Sequence, residues 1–134
     1  MKTAATIPIA IVGLLVAGGL CWWVYSDRDV VRQIPFESSA WQRAEPIERY
    51  RTVRSQMIED LLRQYDFEGW TREQVETLLG KPASGDPAKM GFEEWDAVYI
   101  LGHERNGDFS LDDEALGFKF DSTGRVARYG LSIN

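Results

Sequence analysis

The chain has one cysteine, one histidine and three methionines among its 134 residues. With Cys21 alone no internal disulfide can close, so cysteine usage carries no information about redox compartment. His103 has no second histidine and Cys21 no second cysteine, too few side chains for a Cys/His zinc site. The sequence contains no P-loop, no GxGxxG and no GxSxG. Basic residues are scarce too, with 15 Lys+Arg against 21 Asp+Glu and a net charge of -6. The deficit is concentrated: Asp27 to Arg54 carries six arginines against five acids, whereas from Ser55 onward there are eight Lys+Arg against sixteen Asp+Glu. Such an acidic domain repels a phosphate backbone, so nucleic acid is not an expected partner. No internal repeat or low-complexity tract is present.

The carboxylates do not fill the gap. Asn106, Asp108, Asp112 and Asp113 lack the alternate-position ligands, central glycine and terminal glutamate of an EF-hand loop, and read as a polar hairpin. Glu93, Glu94 and Asp96 lie in a Gly/Pro-punctuated segment where nothing in the sequence argues for the burial that acid/base work requires. No catalytic residue, metal ligand or cofactor is therefore expected, and the chain reads as a non-enzyme. Arg43, Arg49, Arg51 and Arg54 form a basic cluster that could face anionic lipid. Pairing with Glu45 and Glu48 on a solvated helix face is the plainer reading.

What is present begins with an apolar run. Ile7 to Tyr25 is nineteen residues without a charge, about 28 Å of helix against the ~30 Å of a bilayer core. Trp22, Trp23 and Tyr25 close it with rings suited to the headgroup level. The competing reading is a cleaved signal peptide, with Lys2 before it and Ala17 and Gly19 near a cut, but cleavage would leave an exposed WWVY stub. Leu20 stands where a lipidated Cys21 would want a small residue. Gly13, Ala17 and Cys21 recur every four residues, a small-residue face on which another membrane helix could dock. Charges flanking the run are nearly balanced and leave orientation open.

Residues 26–45, with Pro35, Ser38 and Ser39, read as a linker in which Trp41 either tucks onto the domain or meets the membrane. Residues 46–134 suffice for one small domain. Within it, Met57, Ile58, Leu61, Leu62 and Tyr65 have helical spacing, extended backwards by Val53 and Tyr50. Thr71 and Gln74 make a capping box for a second helix with Val75, Leu78 and Leu79 on its apolar face, ended by Gly80 and Pro82. Ala97–Leu101, Leu116–Phe120 and Arg125–Ile133 read as strands, the last two joined by a turn over Asp121–Gly124. In the final strand Ala127, Tyr129, Leu131 and Ile133 are the set predicted to face the helices. The fold class is α+β: a single N-terminal transmembrane helix, then two helices on a three-stranded antiparallel sheet.

The run DLL with Tyr65, then GWTREQVETLLGKP, the YILG of Tyr99–Gly102 and LDDEALGFKFDSTGRV resemble the SmpA/OmlA (BamE-like) outer-membrane lipoprotein domain family, over roughly Tyr50 to Ile133. The resemblance implies a helix pair on a three-stranded sheet and a non-enzymatic accessory role in the bacterial envelope. It implies an extracytoplasmic domain, here tethered to the inner membrane by a single pass.

Ala83–Trp95 is a long connection bearing Met90, Phe92 and Trp95. These side chains are candidates for a partner-binding loop, or for a lid on the open face of the sheet. The expected function is that of a membrane accessory or scaffold subunit binding the bilayer and other membrane or envelope proteins, as in a larger complex. A processed lipoprotein-like factor for outer-membrane protein assembly, and a small inhibitor or ligand-binding module, are the alternatives.

Overall fold

A computed structural model describes residues 32–44, 52–103 and 112–134. The apolar run 7–25, with Gly13, Ala17, Cys21, Trp22, Trp23 and Tyr25, lies outside the described residues. Among those described, no helix is long and apolar enough to cross a membrane.

Three helices pack with a three-stranded antiparallel sheet. Helix α1 spans Ser38–Arg43, α2 Val53–Gln64 and α3 Arg72–Leu79, followed by a 3-10 turn Pro87–Met90 and strands β1 Ala97–His103, β2 Asp113–Phe120 and β3 Val126–Ile133. The capping box of α3 is formed in both directions, with the Gln74 amide donating to Thr71 Oγ1 at 3.2 Å and the Thr71 amide to Gln74 Oε1 at 2.9 Å. Gly80 leaves the helix at φ 76°, where an L side chain is strained. Helix α2 is capped by Thr52, whose Oγ1 accepts from the Ser55 amide and whose hydroxyl donates to the carbonyl of Leu101. One side chain thus caps a helix and ties it to β1.

Helix α1 falls in the stretch read as a linker. From Ile34 onward that stretch belongs to the domain, because its backbone and its aromatics are both used. The Ile34 amide donates to Gln56 O at 2.9 Å, the Phe36 amide to Asp60 Oδ2 at 2.6 Å and Ser38 Oγ to Leu78 O at 2.5 Å. Trp41 is fully buried, in the main core with Met57, Ile58, Leu61, Phe67, Val75, Leu79, Tyr99, Leu101, Leu116, Phe118 and Val126. Two short helices could not have covered the sheet alone; the returning segment supplies the missing apolar bulk.

The sheet is a meander in the order β1-β2-β3. Phe118 pairs with Tyr129, Leu116 with Leu131 and Glu114 with Ile133, so these residues share the helix-facing side. A bulge between Lys119 and Phe120 sets Phe120 opposite Val126, which turns Val126 rather than Ala127 into the core. Val126 is 2 % exposed, and Ala127 is exposed. Tyr129 packs against the main core as its parity requires. Leu131 and Ile133, on the same side, lie beyond the helical cover at 41 % and 49 % exposure.

The opposite face of the sheet has its own small core. Phe92, Trp95, Val98 and Ala115 are buried together, with Met90 half-buried against them. The connection Ala83–Trp95 is therefore a lid. Phe92 is 1 % and Trp95 6 % exposed, which withdraws both from any role as partner-binding anchors, and Met90 serves the same packing. The physical reason is a slot in the sheet: a Cβ at Gly117 would overlap the Trp95 indole, and one at Gly130 would lie 3.8 Å from it. Arg128 closes the slot from outside, 4.7 Å above the ring.

Candidate functional site: the outer edge of β3

A meander of three strands has two edges, and this one treats them differently. Along β1 the Ala83 amide donates to Val98 O at 2.8 Å and the Thr52 hydroxyl engages Leu101 O. Along β3 only the first residue is covered. Val126 exchanges bonds with the corner after α2, donating to Trp70 O at 2.8 Å and accepting from the Gly69 amide at 2.9 Å. Arg125 Nη1 donates to Gly69 O at 2.9 Å beside it. Beyond Val126, among the described residues, no strand pairs with the outer edge of β3.

The hydrogen-bond phase of that edge follows from its far end. The Asn134 amide donates to Asp113 O at 3.2 Å, so the backbone groups of Asn134 face β2. In an antiparallel ladder the direction alternates. Ser132, Gly130 and Arg128 accordingly face β2, while the amides and carbonyls of Tyr129, Leu131 and Ile133 point outward. These same three residues present their side chains on the helix side. Leu131 and Ile133 are the large hydrophobics that stay exposed among the described residues.

Charge is graded along the edge. Arg125 and Arg128 stand at its start, Arg128 facing Glu94 at 3.6 Å. Behind its end, at the start of the central strand β2, lie Asp112 and Asp113, the latter paired with His103 at 3.2 Å and hydrogen-bonded through its amide to Asn134 Oδ1 at 2.7 Å. Ser132 Oγ donates to Glu94 Oε1 at 3.1 Å, and Tyr129 Oη to Asp66 Oδ1 at 3.2 Å. Partial burial, then the hydrogen bond to Asp66, push the Tyr129 phenol above its ordinary range, so the ring stays neutral and its hydroxyl remains a donor. The edge is thus pinned to the domain on both faces, while no strand among the described residues pairs with its outward backbone groups.

Nothing else among the described residues assembles chemistry. No group of three His, Cys, Asp or Glu is placed to hold a metal ion. Glu93, Glu94 and Asp96 do not converge: Asp96 is engaged by Lys119 Nζ and the Phe120 amide, both at 2.8 Å, and Glu94 by Arg128 and Ser132. Asn106 and Asp108 lie outside the described residues, as do Arg49 and Arg51. Arg54 is not on a solvated face, since its Nε donates to Trp41 O at 3.1 Å and its guanidinium lies 5.5 Å from the indole centroid. The β3 edge was available to sequence reasoning through one signal. The last strand of a meander must lie at an edge, and the alternation Tyr129, Leu131, Ile133 runs longer than two short helices can cover.

Comparison with protein-family models, with curated proteins and with solved structures finds no match for this chain.

Proposed function

We propose that this protein is a non-enzymatic accessory or scaffold subunit, tethered to a membrane by residues 7–25, whose domain holds a protein partner along the outer edge of β3. The observation that carries this reading is the coincidence at Tyr129, Leu131 and Ile133 of outward backbone groups and exposed apolar side chains. A bound strand would use both at once, main-chain bonds for affinity and alternate side chains for specificity. Natural sheets blunt such edges with proline, inward charges or short strands. Here β3 runs eight residues with the apolar pair exposed. The resemblance to the SmpA/OmlA family supports an envelope setting with the domain extracytoplasmic, and the uncharged run 7–25 supports a single pass.

Chemical cross-linking in intact membranes tests the reading. The full-length chain is expected to give a discrete protein adduct that is lost from the Leu131→Lys/Ile133→Lys double variant, while the melting temperature stays within a few degrees of the parent. Identical adduct patterns from the two chains would overturn it.

A further inference from the structure

We infer that Ala83–Trp95 is a lid that opens as a unit about its two ends, with Glu94 as its latch, while the main core stays closed. Lid and helices lie on opposite faces of the sheet, and the two cores they build have no buried residue in common. Three features of the lid point to separate opening.

The first is backbone bonding. Main-chain bonds join the segment to the sheet at its ends, where the Ala83 amide donates to Val98 O at 2.8 Å and the Asp96 amide to Phe118 O at 2.9 Å. Lys119 and the Phe120 amide hold the Asp96 carboxylate as well, which makes Asp96 a firm pivot. Between these ends the main-chain bonds close on the segment itself. Lys89 donates to Asp86 O at 3.0 Å, Phe92 to Pro87 O at 2.9 Å and Trp95 to Phe92 O at 3.1 Å. A swing of the whole segment breaks none of them.

The second is the latch. Side chains alternate along a strand, so β3 presents Arg128, Gly130 and Ser132 to the lid, with Asn134 following. Glu94 accepts from Ser132 Oγ at 3.1 Å and faces Arg128 at 3.6 Å, and Asn134 Nδ2 donates to Met90 O at 2.9 Å. The side chains of Arg128 and Glu94 are 58 % and 49 % exposed. Water competes for such a pair, which therefore holds weakly.

The third is the size and fit of the lid core. Among the described residues it has four buried members against twelve in the main core, and regions with few buried apolar contacts open at lower free energy than the whole domain. The buried Trp95 indole N–H has no acceptor among the described residues. Opening gives that group to water, which offsets part of the lost packing. The face laid bare is a flat apolar floor of Val98, Ala115, Gly117 and Gly130.

The test uses the full chain in detergent micelles, with Cys21→Ser to remove the native thiol and one new thiol in each core, Val98→Cys under the lid or Val75→Cys in the main core. Modification by a small thiol reagent is followed by intact mass at increasing urea. Val98→Cys is expected to react at least tenfold faster than Val75→Cys without urea, at a rate nearly flat in low urea, whereas the Val75→Cys rate rises steeply. Glu94→Gln should speed the reaction at position 98 severalfold and leave that at position 75 unchanged. Equal urea dependence at the two positions would overturn the lid, since it would then part only when the whole domain unfolds. An unchanged rate at 98 in Glu94→Gln, or an equal rise at both positions, would overturn the latch.

Discussion

Gly117 and Trp95 show how one missing Cβ decides the use of a whole loop. The indole occupies the space above Gly117, and the aromatic side chains of the connection are committed to packing. Gly117→Ala is expected to destabilise the domain by about 1–3 kcal/mol through overpacking. Trp95→Ala should cost about 3–5 kcal/mol through the lost burial. Thermal unfolding measures both, and the cross-linked protein adduct should persist in whatever fraction stays folded. Since the Trp95 indole N–H finds no acceptor among the described residues, Trp95→Phe should cost less than Trp95→Ala.

Asp60 gives the clearest pH dependence. Its carboxylate accepts from the Phe36 amide and from Gln64 Nε2, both at 2.6 Å, and pairs with Arg63. The Phe36 hydrogen bond chiefly, then those from Gln64 and Arg63, hold the carboxyl below its ordinary range against the opposing effect of burial. A depressed folded-state value means stability that is fully present above the unfolded value, about 3.9, and is lost as pH falls through the folded one. The parent should therefore lose stability steeply below about pH 4. Asp60→Asn should start lower at neutral pH and decline less over that range, as urea midpoints at each pH would report.

Among the elements, α3 and α1 contrast in what sequence reveals. The capping box, the Gly80 exit and the apolar face of α3 are local patterns, and the helix forms where they place it. Thr71→Ala should cost about 1 kcal/mol, read from the denaturant midpoint. Helix α1 has six residues and no stripe of its own. It exists because Trp41 finds a site in the main core, a fact about distant residues that no short window contains. Trp41→Ala should remove about 3–5 kcal/mol, far more than a linker residue could. The Val126 exchange has the same origin, because a bulge between β2 and β3 inverts the parity that alternation predicts. The strands and the turn at Asp121–Gly124 were legible because each is written in adjacent residues. For Ala83–Trp95 the sequence left lid and partner-binding loop both open, since the choice depends on the missing Cβ of Gly117 across the sheet from Trp95.

At the scale of the whole molecule, a well-packed domain with two cores leaves one sheet edge unpaired among the described residues, and the chain preceding it carries an uncharged run of nineteen residues. Removal of residues 1–31 is expected to shift the protein from the carbonate-washed membrane pellet to the supernatant without changing its melting temperature. The docking edge is the central claim. It is tested most directly by a photo-crosslinking side chain placed singly at position 131 or at position 76 of the full-length protein in membranes. A discrete protein adduct from 131 and none from 76 is the predicted result; equal labelling at the two positions, or none at 131, would contradict it.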